Sequence, residues 1–207
     1  SSLFEPLKEH LEELNLTCIL ECEFNFLEHL SNLKKLTLNL NIICNEMGKP
    51  VFNQANNQLT HLDLSNSFNL KISDKTIFND LRCLTHLNLS RVTVDDNMLP
   101  GLFSELKQLD TLTMNGTKFK ATEDAFIYLA NLKELHFEGI EIPKECSNIF
   151  APLKSLHKLV MGSTTTFNYD AFRQVNNNLR ELKLHDFQTI KIDANFFDQH
   201  PNLESLD

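Results

Sequence analysis

The sequence predicts an α/β solenoid: a curved coil with a parallel β-sheet on its concave side and an irregular or short-helical convex side. Two periodic features predict it. The template L-x-x-L-x-L, with Met or Phe allowed at its last position, begins at Leu11, Leu33, Leu59, Leu84, Leu109, Leu132, Leu156 and Leu179, and Leu203 begins a ninth copy. Eight phenylalanines, Phe26, Phe52, Phe78, Phe103, Phe126, Phe150, Phe172 and Phe197, recur in the same phase, six or seven residues before the next copy. The successive copies are 22 to 26 residues apart, and a constant period of this length marks a stacked-repeat architecture. With 5 Gly and 6 Pro in 207 residues, no linker or composition shift divides the chain. One domain of eight to nine repeats, residues 1–207, is expected.

The strands come first. The last two apolar residues of each template alternate as on a strand and point inward. One such strand cannot bury itself, so copies must stack into a parallel sheet with a continuous core. The Phe segments come next. They return the chain to the following strand, and because they are longer than a strand requires, the coil bends away from them. Their regular spacing predicts a stacked aromatic spine inside the coil, since aromatic rings bury large apolar areas. The segment "NIICNEMGKPVFNQANNQ" makes one of the longest repeats, by a few residues only.

The phrasing F-x-x-L-x-x-L-x-x-L-x-L at a period near 24 resembles the leucine-rich repeat family over essentially the whole chain, in the class found in animal extracellular proteins and Toll-like receptor ectodomains. That family usually carries Asn three residues after the third apolar position, bonding backbone of adjacent coils. Here the position reads Ile19, Asn41, Ser67, Val92, Thr117, Ile140, Thr164 and Phe187, so the Asn ladder is largely absent and backbone groups at this turn need other partners. No Cys-rich cap is visible and the text ends mid-repeat, so a piece of a longer ectodomain is expected. The resemblance implies recognition of a protein or of a microbial or endogenous ligand in innate immunity, with receptor dimerisation on binding.

Composition narrows the partners. The net charge is -9, which argues against a phosphate-dominated partner because nucleic-acid binding needs a concentrated basic face. No apolar run reaches the length of a membrane span. There is no Gly-rich phosphate loop, no G-x-S-x-G and no H-E-x-x-H. No enzyme activity, cofactor or metal is expected.

Of five cysteines, Cys22 and Cys44 occupy the same phase of adjacent repeats, about 5 Å apart across neighbouring strands, which suits a disulfide. Two buried thiols would satisfy the same pattern. Cys83, just before a strand Leu, is expected to be buried. Three N-x-S/T triplets start at Asn15, Asn88 and Asn115, all on concave strands; glycans there would cover part of the sheet.

Written L1-x2-x3-L4-x5-L6-x7, the template sends x3, x5 and x7 to the concave surface. These rows are polar and lack Trp, Tyr and Arg, the usual hot-spot residues, so a large dry interface is not expected there. His61 and His86 fall side by side on adjacent coils, where two imidazoles would repel when both are charged; a half-exposed position that merely tolerates His explains them as simply. A second candidate cluster, Lys133, His136, Lys158, Arg180, Lys183 and His185, could receive an anionic ligand, but Glu134, Glu138, Glu181 and Asp186 are interleaved. The functional expectation is an extracellular recognition module. An intracellular repeat adaptor or substrate-recognition subunit in the cytoplasm, and a secreted scaffold, are the alternatives.

Overall fold

The computed structural model describes residues 4–18, 24–40, 51–68, 70–164, 169–187 and 194–207. It is a β-solenoid. Nine strands form one parallel sheet in chain order: β1 (Glu13–Cys18), β2 (Lys35–Leu40), β3 (His61–Asp63), β5 (His86–Asn88), β7 (Thr111–Thr113), β8 (Glu134–Glu138), β9 (Lys158–Gly162), β10 (Glu181–His185) and β11 (Ser205–Leu206). Two short strands, β4 (Lys71–Ile72) and β6 (Thr93–Val94), pair in parallel beside it, and an isolated bridge carries that pairing on from Thr93 to Lys118.

The leucine template dictates this register. Glu13, Lys35, His61, His86, Thr111, Glu134, Lys158, Glu181 and Ser205 are partners in one unbroken row across the sheet. Their neighbours at L4 and L6 point the other way: Leu36, Leu38, Leu62, Leu64, Leu87, Leu89, Leu112, Met114, Leu135 and Phe137 are all buried. A slip by one residue would expose that whole set.

The convex side is built of tight turns. The carbonyls of Phe78, Phe103, Phe126, Phe150, Phe172 and Phe197 each accept from the amide three residues later, at 2.9–3.1 Å. A further such bond, for example Leu84 N–H to Leu81 O at 3.0 Å, delivers the chain to the next strand. Only Tyr169–Phe172 forms a single α-helical turn, α1, among the described residues. The Phe spine is a finding with limits. Phe52, Phe78, Phe103, Phe126, Phe150 and Phe172 are buried, whereas Phe26 is partly buried and Phe197 is 44% exposed. Ring contact is intermittent: Phe52 and Phe78 lie 6.2 Å apart, and Phe126 and Phe150 6.4 Å apart.

Two repeating devices replace the sparse Asn ladder. Buried hydroxyls at the predicted turn position reach back one coil: Ser67 Oγ donates to Leu38 O at 3.2 Å and Thr117 Oγ1 to Leu89 O at 2.7 Å. At the other end of the strand, the residue before L1 is Asn in four coils. Asn32, Asn131, Asn178 and Asn202 donate to the carbonyls of Glu9, Lys107, Lys154 and Asn177, all 23 to 25 residues back. Cys83 occupies this same position and is half-buried rather than buried, because the position lies on the solvent side of the turn.

In the six coils carrying β3, β5, β7, β8, β9 and β10, the strand is followed by a left-handed residue seven places after L1. Asn66, Arg91, Gly116, Gly139, Ser163 and Asp186 have φ between 55° and 69°. Gly adopts this region without strain and Asn and Asp tolerate it, whereas Arg91 and Ser163 hold it against the usual steric cost.

Candidate functional site

The concave face divides into two halves of different chemistry. The first spans β2, β3, β5 and β7. Here the twice-written Thr-His-Leu phrase acquires a physical meaning. Thr60 Oγ1 donates to Lys34 O, and Thr85 Oγ1 donates to Thr60 O, each at 3.0 Å. A hydroxyl has one proton. With that proton given to the carbonyl, each oxygen can only accept from the adjacent ring nitrogen, His61 Nδ1 and His86 Nδ1, both at 2.9 Å. In that arrangement both imidazoles are Nδ1–H tautomers; with the hydroxyl proton given to the ring instead, they are Nε2–H tautomers.

The two rings stack, with centroids 4.1 Å apart and planes within 9°. Burial pushes the His61 pKa below its usual 6.5; the neighbouring His86 and Lys35 add to this and Glu13 opposes it. Around the pair is a shallow depression of about 320 Å³ that also includes Lys35, Thr37, Asp63, Asn88 and Thr111. Asp63 is internally occupied: its carboxylate accepts from Ser65 N–H at 2.7 Å and from the Asn88 amide at 3.2 Å. Asn88 Oδ1 in turn accepts from Ser90 N–H at 3.0 Å and Ser90 Oγ at 2.7 Å.

The second half spans β8, β9 and β10 and gathers the predicted cationic cluster. Each of its three lysines, its arginine and its two histidines lies within 4 Å of a carboxylate. Lys133 lies 2.8 Å from Asp110, and Arg180 3.3 Å from Glu204. Lys158 sits between Glu134 at 3.7 Å and Glu181 at 3.4 Å, and Lys183 reaches Glu181 at 3.3 Å. His136 lies 3.8 Å from Glu134, and His185 3.3 Å from Glu138. Burial acts to raise the Glu181 pKa, but Lys183 and Lys158 together outweigh it and hold the carboxyl below its usual range. The lysine and arginine charge is matched by carboxylates of the same or neighbouring coils.

The His185–Glu138 contact skips a strand. In the register, Glu138, Gly162 and His185 are successive partners. A Cβ at position 162 would lie 2.1 Å from His185 O and 2.9 Å from its Nδ1. The missing side chain of Gly162 is what lets His185 lean across it.

The other sequence candidates have these places. Asn15 is exposed on β1, Asn88 lies at the end of β5, and Asn115 Oδ1 accepts from Glu138 N–H at 3.0 Å just beyond β7. Cys22 and Cys44 lie outside the described residues. Cys83 and Cys146 are free thiols; burial, with Glu123, Glu145 and Asp124, pushes the Cys146 pKa above 9.0. Among the described residues, no group of three or more His, Cys, Asp or Glu is placed to hold a metal ion, and no helix is long and apolar enough to cross a membrane. Sequence reasoning missed Thr60 and Thr85; their position directly before each His was the visible signal.

No protein-family model matches this chain, and no curated protein sequence matches it. Solved structures do. The chain is similar to a TLR13–ssRNA13 complex structure, at 24% identity over 93% of this chain and 32% of that one, with a TM-score of 0.71. It is similar to the mouse RP105/MD-1 complex, at 22% identity over 90% and 32%, with a TM-score of 0.66. An internalin from Listeria monocytogenes str. 4b F2365 aligns at 19% identity over 98% and 68%, with a TM-score of 0.53. The chain thus spans about a third of the length of the TLR13 and RP105 chains. With its L-x-x-L-x-L strands, its parallel concave sheet and these neighbours, the chain has the leucine-rich-repeat fold.

Proposed function

We propose that this chain is a non-enzymatic binding module, part of the extracellular recognition region of a Toll-like innate immune receptor. It engages its ligand across the first half of the concave sheet, and dimerisation of the receptor accompanies binding. The observation that carries the reading is the contrast in charge satisfaction. Lys133, Lys158, Arg180 and Lys183 are each paired with a carboxylate of their own or a neighbouring coil, whereas His61 and His86 line an open depression with no carboxylate paired to either ring among the described residues. Unmatched polar groups in a concavity favour binding. The likeness to the TLR13 and RP105 complexes supports the receptor class.

Non-reducing peptide mapping of the protein from its native source tests this reading. A Cys22–Cys44 bridge with glycan on Asn15 or Asn115 is expected, whereas glycan on Asn88 would fill the depression and move the binding face elsewhere. Free thiols and bare asparagines would remove it and put the intracellular adaptor in its place, a reading that the free thiols of Cys83 and Cys146 favour. The binding face has its own test. Arginine at Thr37 or Thr111, both lining the depression, should abolish capture of the native partner, while arginine at the exposed convex Tyr128 should not.

A further inference from the structure

We infer that His61 and His86, with Lys35 beside them, form a proton-linked site for a carboxylate side chain of a protein partner. The inference rests on the reading that the concave face carries the partner, and it adds the chemistry recognised and the conditions under which recognition occurs.

The tautomers set the starting state. With Thr60 and Thr85 accepting from both Nδ1–H groups, an arrangement that their 2.9 Å contacts permit, the neutral pair offers Nε2 lone pairs and repels a carboxylate. Adding one proton converts one Nε2 into a charge-assisted donor. A second proton is opposed by the first, on a ring 4.1 Å away, and by Lys35 in the adjacent strand. A carboxylate has two oxygens and one negative charge. Placed over the pair it accepts from both Nε2–H groups and cancels the repulsion between them. Anion binding and proton uptake therefore strengthen each other by the same factor.

The surroundings permit this. The charged groups near the pair are Glu13 on β1, Lys35 on β2 and Asp63 on β3; β5 and β7 contribute Asn88, Thr111 and Thr113, which are uncharged. Glu13 lies beyond Lys35 in the row, and Asp63 is occupied by Ser65 N–H and the Asn88 amide. The site is too small for a nucleic acid. Such complexes engage about 6–10 phosphates, and here Lys35 and two imidazoles stand in one row, while the four lysine and arginine side chains of the second half are paired with carboxylates. A metal ion is also a poor fit, since no third His, Cys, Asp or Glu is placed to join the pair as a ligand among the described residues.

Histidine-ring ¹H–¹⁵N spectra across a pH titration, with and without a capped hexaglutamate peptide as probe, test the inference. Both rings should appear as Nδ1–H tautomers above about pH 7.5. Saturating peptide should raise the titration midpoint of the pair by about one pH unit, equivalent to about tenfold tighter binding to the protonated form. His86→Gln, at an exposed position, should reduce the peptide-induced change at His61 to less than about a third of a pH unit. Thr85→Val should release the His86 tautomer while leaving the sheet intact. His136→Gln should change nothing at the pair. A midpoint unmoved by peptide, or moved equally in the His86→Gln protein, overturns the site. So does a hexathymidylate that shifts the pair more than the peptide does. These readouts need no native partner. Loss of the concave-face reading in the Thr37 and Thr111 capture experiment would leave them unchanged, so the two ideas fail separately.

Discussion

The two halves of the concave sheet contain similar residues and differ in what is left over. The half built on β8–β10 holds more lysine and arginine, yet each of these cations lies within 4 Å of a carboxylate of its own or a neighbouring coil. The half built on β2–β7 holds fewer, yet its two imidazoles find only threonine hydroxyls and each other. Counting charged residues along a strand therefore points to the wrong half. What a partner can use is charge or hydrogen-bonding capacity that the neighbouring coils have not already taken, and that depends on register.

The halves also differ beneath the surface, where the largest effect is expected. Phe126, Phe137 and Phe150 form one mutual cluster under β8, with rings 5.7, 6.1 and 6.4 Å apart. Under β3 and β5 the equivalent inward positions are Leu64 and Leu89. Phe126→Ala should lose about 3–5 kcal/mol in urea denaturation, and because repeats couple mainly to their neighbours, hydrogen exchange should open around β8 and β9 first. Protection lost evenly over both halves would erase the distinction between them.

Gly162→Ala should follow, at about 1–3 kcal/mol. The new methyl would meet backbone, His185 O at 2.1 Å, which cannot swing aside like a side-chain tip. The His185–Glu138 contact should be lost with it, visible as a changed His185 ring resonance. An alanine that is accommodated without loss would mean that the second half is not held together across strands.

Much of this was readable in the sequence, and the unread part has a common cause. The strand phase, the inward leucines and the neighbouring of His61 and His86 follow from one period, because residues at the same phase of adjacent coils become partners. The alternation Glu134, Lys158, Glu181 along one row was equally open to reading. The left-handed turn was not, since Arg91 and Ser163 carry no preference for positive φ and are recognised only by their place beside Gly116, Gly139 and Asn66. Nor was the skipped-strand pair, which depends on the absent side chain of Gly162. The tautomers of His61 and His86 depend on where two threonine protons go, a matter of atomic geometry rather than pattern. Cys83 was misjudged because a position next to a core leucine can still face solvent at a turn.

Acid tests both halves at once, through one histidine each. Burial lowers the pKa of His61 in the first half and of His200 behind the second, the latter opposed by a backbone contact with Asn176. A group whose folded pKa is depressed favours the neutral form in the fold. The unfolded chain then binds more protons below the usual value of 6.5, so stability is full above that pH and falls as pH drops toward the folded pKa. One such group contributes at most about 1.4 kcal/mol per pH unit. His200, 2% exposed, should set most of the slope, and half-buried His61 less. His200→Gln should flatten urea midpoints between about pH 6.5 and 5 more than His61→Gln does; the reverse order would locate the acid sensitivity on the concave face.

The smallest effect is expected where the charges are most numerous. Lys158 lies between two carboxylates, but its side chain and those of Glu134 and Glu181 remain 25–35% exposed. Water and salt screen such pairs, and Lys158→Gln should cost less than about 1 kcal/mol. Its electrostatic consequence is larger than its energetic one. Without the ammonium, Glu134 and Glu181 lose their shared cation, and the Glu181 carboxyl, held below its usual range by Lys183 and Lys158, should titrate at higher pH. The His61 and His86 resonances should stay where they are, because Thr111 and Glu134 separate them from Lys158 along the row. If instead Lys158→Gln moved both histidines, the two halves would share one electrostatic field, and the matched charges around β9 would belong to the same binding surface as the pair.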